Sequence, residues 1–275
     1  MIRAHRGMVF AVAALAGACA SAGSLSSKPG VFDARQEAMT LSHGVVEVTL
    51  VTPVKPVEPK LLILFATGDA GWLGVSGTIF EHMAEKGLYA AAFDAREIVA
   101  PMKRSGVLAT IPDAAATIDT MIVQSRRALG LPESTPVIVT GFSRGANLVV
   151  LTAGAKSLQH HLSGAIAIAL TRETDFLQAP EPVSRPPEVQ VDAKGRIQTY
   201  PAIALAGPLP FAVIQSQGDK YVPSEEARRL FGPNTATRRL YEVDAKNHGF
   251  SGGRDELLRD LDDSLSWIVE HSKVN

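Results

Sequence analysis

The chain has one cysteine in 275 residues. A single thiol cannot close an intramolecular disulfide, and metal sites built from cysteine clusters are excluded with it. Charge of one sign is not in surplus either: 27 Lys and Arg stand against 28 Asp and Glu, for a formal net charge of -1. That balance leaves no overall electrostatic footprint for nucleic acid, so no nucleic-acid partner is expected. No internal repeat is present, and low complexity is confined to "SAGSLSSKPG" (Ser21–Gly30). Long hydrophobic runs are also missing, since the apolar stretch "MVFAVAALAGACASAG" falls short of the roughly 20 residues that a spanning helix needs.

What remains is a chain with 46% apolar residues, enough to fill the core of one α/β domain of this length. The short apolar stretch follows Arg3 and Arg6 and ends in small residues, so residues 1–20 read as a secretory signal peptide. Two processing routes are open. "LAGAC" resembles a bacterial lipobox, in which Cys19 would be acylated and hold the protein at the membrane. Cleavage after Ala18-Cys19-Ala20 would instead release a soluble periplasmic protein. Residues 21–40 read as a tether and 41–275 as the folded domain.

Within that domain, "VVEVTLV" (Val45–Val51) alternates as a strand does, and "LLILFAT" (Leu61–Thr67) is a continuous aliphatic run suited to a fully buried strand. Helical and extended patterns then take turns. Helices are expected over Thr78–Lys86, Asp113–Leu129, Ala146–Ala155, Ser224–Phe231 and Asp255–Val269. Strands are expected over Tyr89–Asp94, Pro136–Thr140, Gly164–Leu170, "FAVIQSQ" and "RRLYEV". Such alternation predicts a single α/β domain with a mostly parallel, doubly wound sheet. The Pro-rich stretch 178–210 lacks a period and reads as an excursion over the sheet edge.

One strand-to-helix junction carries chemistry. In "PVIVTGFSRGANLVV", Ser143 lies between Gly141 and Gly145 where an apolar strand ends and a helix begins. This is the G-x-S-x-G pattern, whose tight turn lifts a serine hydroxyl above the C-terminal edge of a sheet. A serine nucleophile needs a base and an acid that orients the base. Asp219 in "IQSQGDKYVP" follows a strand read as the neighbour of the serine's strand, and His248 in "VDAKNHGFSGG" sits in a loop before the last helix. Asp244, in the same loop as His248, is a rival acid, while His5, His43, His82, His160, His161 and His271 have the plainer reading of solvated side chains. Two backbone N–H groups are expected to face a developing oxyanion. One is that of Arg144, and the other belongs to Asp69 or Ala70 in the loop "FATGDAGW". The Asp69 side chain is read either as a cap on the following helix or as a substrate contact. No cofactor and no metal are called for.

The order Ser143, Asp219, His248 is that of the α/β-hydrolase fold. The pieces "TGDAGW", "GFSRGAN", "LTRETDF" and "NHGFSGGRDEL" together resemble the bacterial virulence protein VirJ/AcvB family, from about Leu61 to the last helix. The chain departs from that family's elbow at Arg144 and Asn147. The resemblance implies a periplasmic hydrolase that cleaves the aminoacyl ester of lysyl- or alanyl-phosphatidylglycerol, an aminoacylated phospholipid. Asp69, Glu173 and Asp175 are then candidates to pair with the substrate ammonium. The competing expectations are a generic carboxylesterase or dienelactone-type hydrolase acting on a small ester, and a non-catalytic binding or secretion accessory protein with the same fold.

Overall fold

The computed structural model describes residues 25–104, 106 and 108–272, so the signal peptide, Cys19 and the first residues of the tether lie outside the described residues. Strands β1 (Phe32–Leu41) and β2 (Gly44–Pro53) open the domain, followed by β3 (Leu62–Ala66), α1 (Val75–Glu85), β4 (Tyr89–Phe93) and α2 (Ala95–Arg104). Next come α3 (Ile111–Ala128), β5 (Val137–Phe142), α4 (Arg144–Thr152), α5 (Lys156–Gln159) and β6 (Leu162–Ile168). A hairpin of two-residue strands, β7 (Glu173–Thr174) and β8 (Ile197–Gln198), precedes α6 (Thr199–Ala202) and a 3-10 turn at Ile203–Ala206. The chain ends with β9 (Phe211–Ser216), α7 (Ser224–Phe231), β10 (Arg238–Val243) and α8 (Arg254–His271).

Eight strands form one sheet in the order β1-β2-β4-β3-β5-β6-β9-β10. β2 runs antiparallel to both β1 and β4, and all later pairings are parallel. Successive side chains of a strand face opposite sides of the sheet, which lets one buried strand serve two cores. Leu62 and Leu64 of β3 join Val137 and Val139 of β5 under α2, α3 and α4, while Ile63, Phe65 and Ile138 pack under α1 and α8. The continuous aliphatic run is thus explained by burial on both faces.

Three of the differences from the sequence expectation have a local cause. The tether read over residues 21–40 is too long, because Phe32–Leu41 is an edge strand paired with β2 along its whole length. Only Phe32, Met39 and Leu41 of that strand are buried, so Asp33, Arg35 and Glu37 on the wet surface hide its period. α2 goes unannounced because Pro101 lies inside it, although Ala95, Ile98, Val99 and Met102 make a buried helical stripe. α3 starts at Ile111, ahead of the expected Asp113. There Thr110 and Asp113 form a reciprocal capping box, with Pro112 in the first turn.

The Pro-rich stretch 178–210 lies on the connection between the interior neighbours β6 and β9. Its Val189, Ile197, Tyr200 and Ile203 pack into the same core as α4, and β8 pairs with β7 at the C-terminal side of the sheet. Among the described residues no helix is long and apolar enough to cross a membrane.

Asp260 on α8 links this fold to pH. Partial burial, reinforced by Glu256 and Asp263, pushes its carboxyl up to about 6 from an ordinary 3.8. The folded state therefore binds this proton more tightly than the unfolded chain. The associated stability is complete below about pH 4 and is lost as pH rises through about 6. Asp260→Asn is expected to raise the urea midpoint above wild type at pH 7 and to leave it unchanged at pH 4. A lower midpoint for the variant at pH 7 would contradict this.

Candidate active site

The site is built where β5 turns into α4. Ser143 has φ 54° and ψ -111°, a conformation that non-glycine residues rarely adopt. Its N–H donates to the Ile168 carbonyl at 2.8 Å, and its own carbonyl accepts the first bond of α4 from Asn147 N at 3.1 Å. The turn closes only because its flanks lack side chains. A Cβ at Gly141 would lie 2.2 Å from the Gly145 carbonyl oxygen, and one at Gly145 would lie 2.1 Å from the Ala66 carbonyl oxygen. Both glycines are thus required by close backbone approach.

His248 Nε2 lies 2.8 Å from Ser143 Oγ, and His248 Nδ1 lies 2.7 Å from Asp219 Oδ2. An ionised carboxylate only accepts, so Nδ1 carries the imidazole proton and Nε2 is left to accept from the serine hydroxyl. Asp219 is 1% exposed. Besides His248, it accepts from Gln215 Nε2 at 3.0 Å and from the Tyr221 N–H at 2.8 Å. These bonds hold the carboxylate in one orientation behind the imidazole. The ring itself packs between Phe142, with centroids 5.4 Å apart, and Tyr221, edge-on at 4.8 Å. The loop that carries His248 is shaped by Asn247, whose side-chain oxygen accepts from the N–H groups of Gly249 and Ser251, and by the fully buried Phe250.

Asp219 follows β9, which is separated from β5 by β6 and is not its neighbour. The rival Asp244 is exposed and lines a different hollow with Arg254 and Arg259. The sequence favoured Asp219 with Asp244 as its rival, and the structure puts Asp219 on His248 Nδ1.

Ser143 and His248 open into a pocket of about 630 Å³ that is also lined by Asp69, Ala70, Arg144, Glu173 and Asp175. Among the described residues, the structure thus brings Ser143, His248, Asp69, Ala70, Arg144, Glu173 and Asp175 to one place. Asp69 does not cap α1, whose N-cap is Gly74 with no side-chain bond. Its carboxylate instead grips the Arg144 guanidinium, with Oδ1 against Nε and Oδ2 at 3.1 Å from Nη2. Glu173 pairs with Arg196 Nη1 at 2.8 Å, so that acid is also engaged. Asp175 has no hydrogen bond or ion pair among the described residues. The Arg144 N–H lies in the first turn of α4, where the helix has no carbonyl for it, and is free to face an oxyanion. The loop that offers the Asp69 and Ala70 N–H groups abuts the serine: a Cβ at Gly68 would stand 3.1 Å from Ser143 Cβ.

Sequence reasoning missed Phe142, Arg172, Arg196, Lys220 and Tyr221 in this pocket. Lys220 and Tyr221 follow Asp219 directly and were findable by adjacency. Arg196 comes from the Pro-rich crossover, and no local pattern points to it. Two histidines are not the solvated side chains expected. His82 meets Asp262 at 2.8 Å, and His161 sits against Asp119 at 3.0 Å and Arg126 at 2.8 Å. Asp119, His160 and His161 bring ligand-type atoms within 4.8 Å of one another. The Arg126 guanidinium donates to His161 Nδ1 there, so a fixed cation already occupies the flank of that cluster and opposes a metal ion.

The strand order, the antiparallel second strand and the placement of Ser143, Asp219 and His248 after β5, β9 and β10 define an α/β-hydrolase fold. The particular solved structures it resembles are distant in sequence. A candidate dienelactone hydrolase from Klebsiella pneumoniae superposes with a TM-score of 0.60 at 16% identity, covering 87% of this chain and 99% of the other. The esterase domain of a Rhodothermus marinus protein gives 0.57 at 15% identity, over 87% and 100%. An α/β serine hydrolase homologue from Coxiella burnetii gives 0.57 at 16% identity, over 84% and 97%. No family model and no curated protein matches the chain.

The elbow generates a stability prediction. Gly145→Ala forces a methyl group into the Ala66 carbonyl and is expected to cost about 1–3 kcal/mol or more in urea denaturation. Wild-type stability in that variant would mean that the two backbones part easily.

Proposed function

We propose that this protein is a serine hydrolase of carboxylic esters. The observation that carries the reading is the unbroken relay of two short hydrogen bonds from Asp219 through His248 to a serine held at φ 54°. His248 Nε2 takes the Ser143 proton as Oγ attacks the ester carbonyl, and the buried Asp219 steadies the imidazolium that forms. The tetrahedral oxyanion is met by the Arg144 N–H at the α4 N-terminus and by the N–H of Asp69 or Ala70. The imidazolium returns its proton to the leaving alcohol. Water activated by the same base then releases the acid and restores Ser143. Likeness in fold to an esterase domain and to a candidate dienelactone hydrolase supports an ester as the bond cleaved.

A fluorophosphonate probe should label wild type at Ser143, and Ser143→Ala should abolish labelling and lower p-nitrophenyl ester hydrolysis by at least about a thousandfold. Asp219→Asn should cost about 10⁴-fold in kcat by releasing the imidazole from its tautomer, with Asp244→Asn close to wild type. An unlabelled wild type that binds esters without turnover would make the protein a binding module on this fold. Equal losses at the two aspartates would remove the assignment of the acid.

A finer reading concerns an aminoacyl ester, with lysyl- or alanyl-phosphatidylglycerol as the lipid form and the periplasmic face of the membrane as the place. Asp175 favours it, because this carboxylate lines the pocket outside any hydrogen bond or ion pair, with the nearby Arg196 bound to Glu173 and Asp192, while Asp69 is taken by Arg144. A substrate ammonium would complete it. Asp175→Asn is then expected to lower turnover of an alanyl ester about tenfold or more, and to spare the N-acetylated ester, in line with a charge-assisted hydrogen bond. Equal effects on both esters, or no release of amino acid from aminoacyl-phosphatidylglycerol by wild type, would leave the coarser esterase reading alone.

A further inference from the structure

The oxyanion donors of this site come from two segments that no covalent or ladder contact ties together. One is the first turn of α4. The other is the loop after β3, 75 residues earlier, which leaves the sheet at Ala66 beside Gly141 of β5. Beyond that register pair the loop is held by the Thr67 N–H on the Phe93 carbonyl at 3.0 Å, by turns from the Gly71 N–H to the Gly68 carbonyl at 3.0 Å and from the Leu73 N–H to the Ala70 carbonyl at 3.2 Å, and by the packing of Gly68 on Phe142 and Ser143. Neither the Asp69 nor the Ala70 N–H is a donor in those bonds, so they leave both groups free to turn toward the space above Ser143.

We propose that the Asp69–Arg144 ion pair is a positioning pair, a side-chain clasp that locks the β3 loop to the α4 N-terminus and so holds the two oxyanion donors at a working separation. The inference rests on the serine-hydrolase reading of Ser143. Arg144 supplies one backbone donor and Asp69 or its neighbour Ala70 the other, and the side chains that bind each other are those of Arg144 and Asp69. Both carboxylate oxygens engage the guanidinium, through Nε and Nη2, and a planar two-point contact fixes orientation as well as distance. Arg144 is itself immobilised, with its guanidinium 5.1 Å from the centroid of the Phe176 ring beneath it. The Asp69 side chain is 61% exposed, so the pair adds little to global stability, as is usual for surface ion pairs. Its effect falls on geometry. Loss of an oxyanion donor costs about 10²–10³-fold in kcat, and a loosened donor loses part of that. The same contact argues against Asp69 as the reader of a substrate ammonium, since both of its oxygens are occupied.

The test uses the full chain with aryl esters whose acyl groups are uncharged, anionic and cationic. Asp69→Asn and Arg144→Lys are each expected to lower kcat about tenfold on all three, with KM for the uncharged ester changed less than about twofold. The rate of fluorophosphonate labelling should fall by the same factor, because the phosphonyl oxygen uses the same donors. The double variant should be no slower than the worse single variant, the mark of one shared interaction. A loss confined to the cationic ester would overturn the proposal and make Asp69 a substrate contact. Additive losses, a rise in KM alone, or wild-type kcat in Asp69→Asn would overturn it equally. If wild type itself neither labels nor turns over, the hydrolase reading has failed and the clasp falls with it; wild-type labelling with an unaffected Asp69→Asn variant defeats the clasp alone.

Discussion

The inside of the turn between β5 and α4 has no room for a side chain, and that contact sets the place of every reacting group. Gly141 closes on the Gly145 carbonyl, Gly145 closes on the Ala66 carbonyl, and Ser143 is forced to a positive φ between them. The strain at Ser143 is held by bonds on either side, from its N–H to Ile168 and from Asn147 to its carbonyl. Because β3 and β6 flank β5, the same turn brings the β3 loop and the end of β6 against the serine. The hydroxyl is thus presented at the sheet's C-terminal edge by backbone packing, before any side chain is considered.

Around that fixed point the side chains divide into a dry half and a wet half. Asp219, Gln215, Phe142 and the inner edge of His248 are shielded, so the hydrogen bonds from acid to base are made in a medium where they are strong and directional. The pocket side is exposed and charged in both senses. Arg144 faces Asp69, Arg196 faces Glu173 and Asp192, and Arg172 faces Glu226. These pairs leave Asp175 and Lys220 as the lining charges without an ion-pair partner among the described residues. Selectivity for a charged substrate would therefore act through those two side chains and not through the pocket's total charge.

The Pro-rich crossover shows how an irregular segment enters a site. It takes the place of a regular helix between β6 and β9, yet it buries Val189, Ile197, Tyr200 and Ile203 against the core that includes α4. Its β8 pairs with β7 just beyond β6, and that hairpin carries Glu173 and sets Arg196 beside it. A segment without period thereby supplies one wall of the pocket. The apolar anchors in the crossover hold its polar residues at the rim.

The sequence alone determined the features that depend on local backbone geometry and on burial of whole strands. Gly141 and Gly145 around Ser143 announce a turn that admits no Cβ, the aliphatic runs at Leu61–Thr67 and Pro136–Thr140 announce strands covered on both faces, and Ser143, Asp219 and His248 stand in an order that one fold explains. Edge strand β1 and helix α2 escaped, because a half-wet strand and a helix with an internal proline carry weak periods. Tertiary structure alone decided the partners. Asp219 is favoured along the chain by its place after a strand, with Asp244 as a rival, and Asp69 has several roles open to it there. The choice rests on which side chains converge across 29 residues at His248–Asp219 and across 75 at Arg144–Asp69, and those distances exist only once the sheet is assembled. A hydrogen bond is satisfied over a few tenths of an ångström, while a sequence pattern places a side chain only to the nearest turn of helix or face of strand.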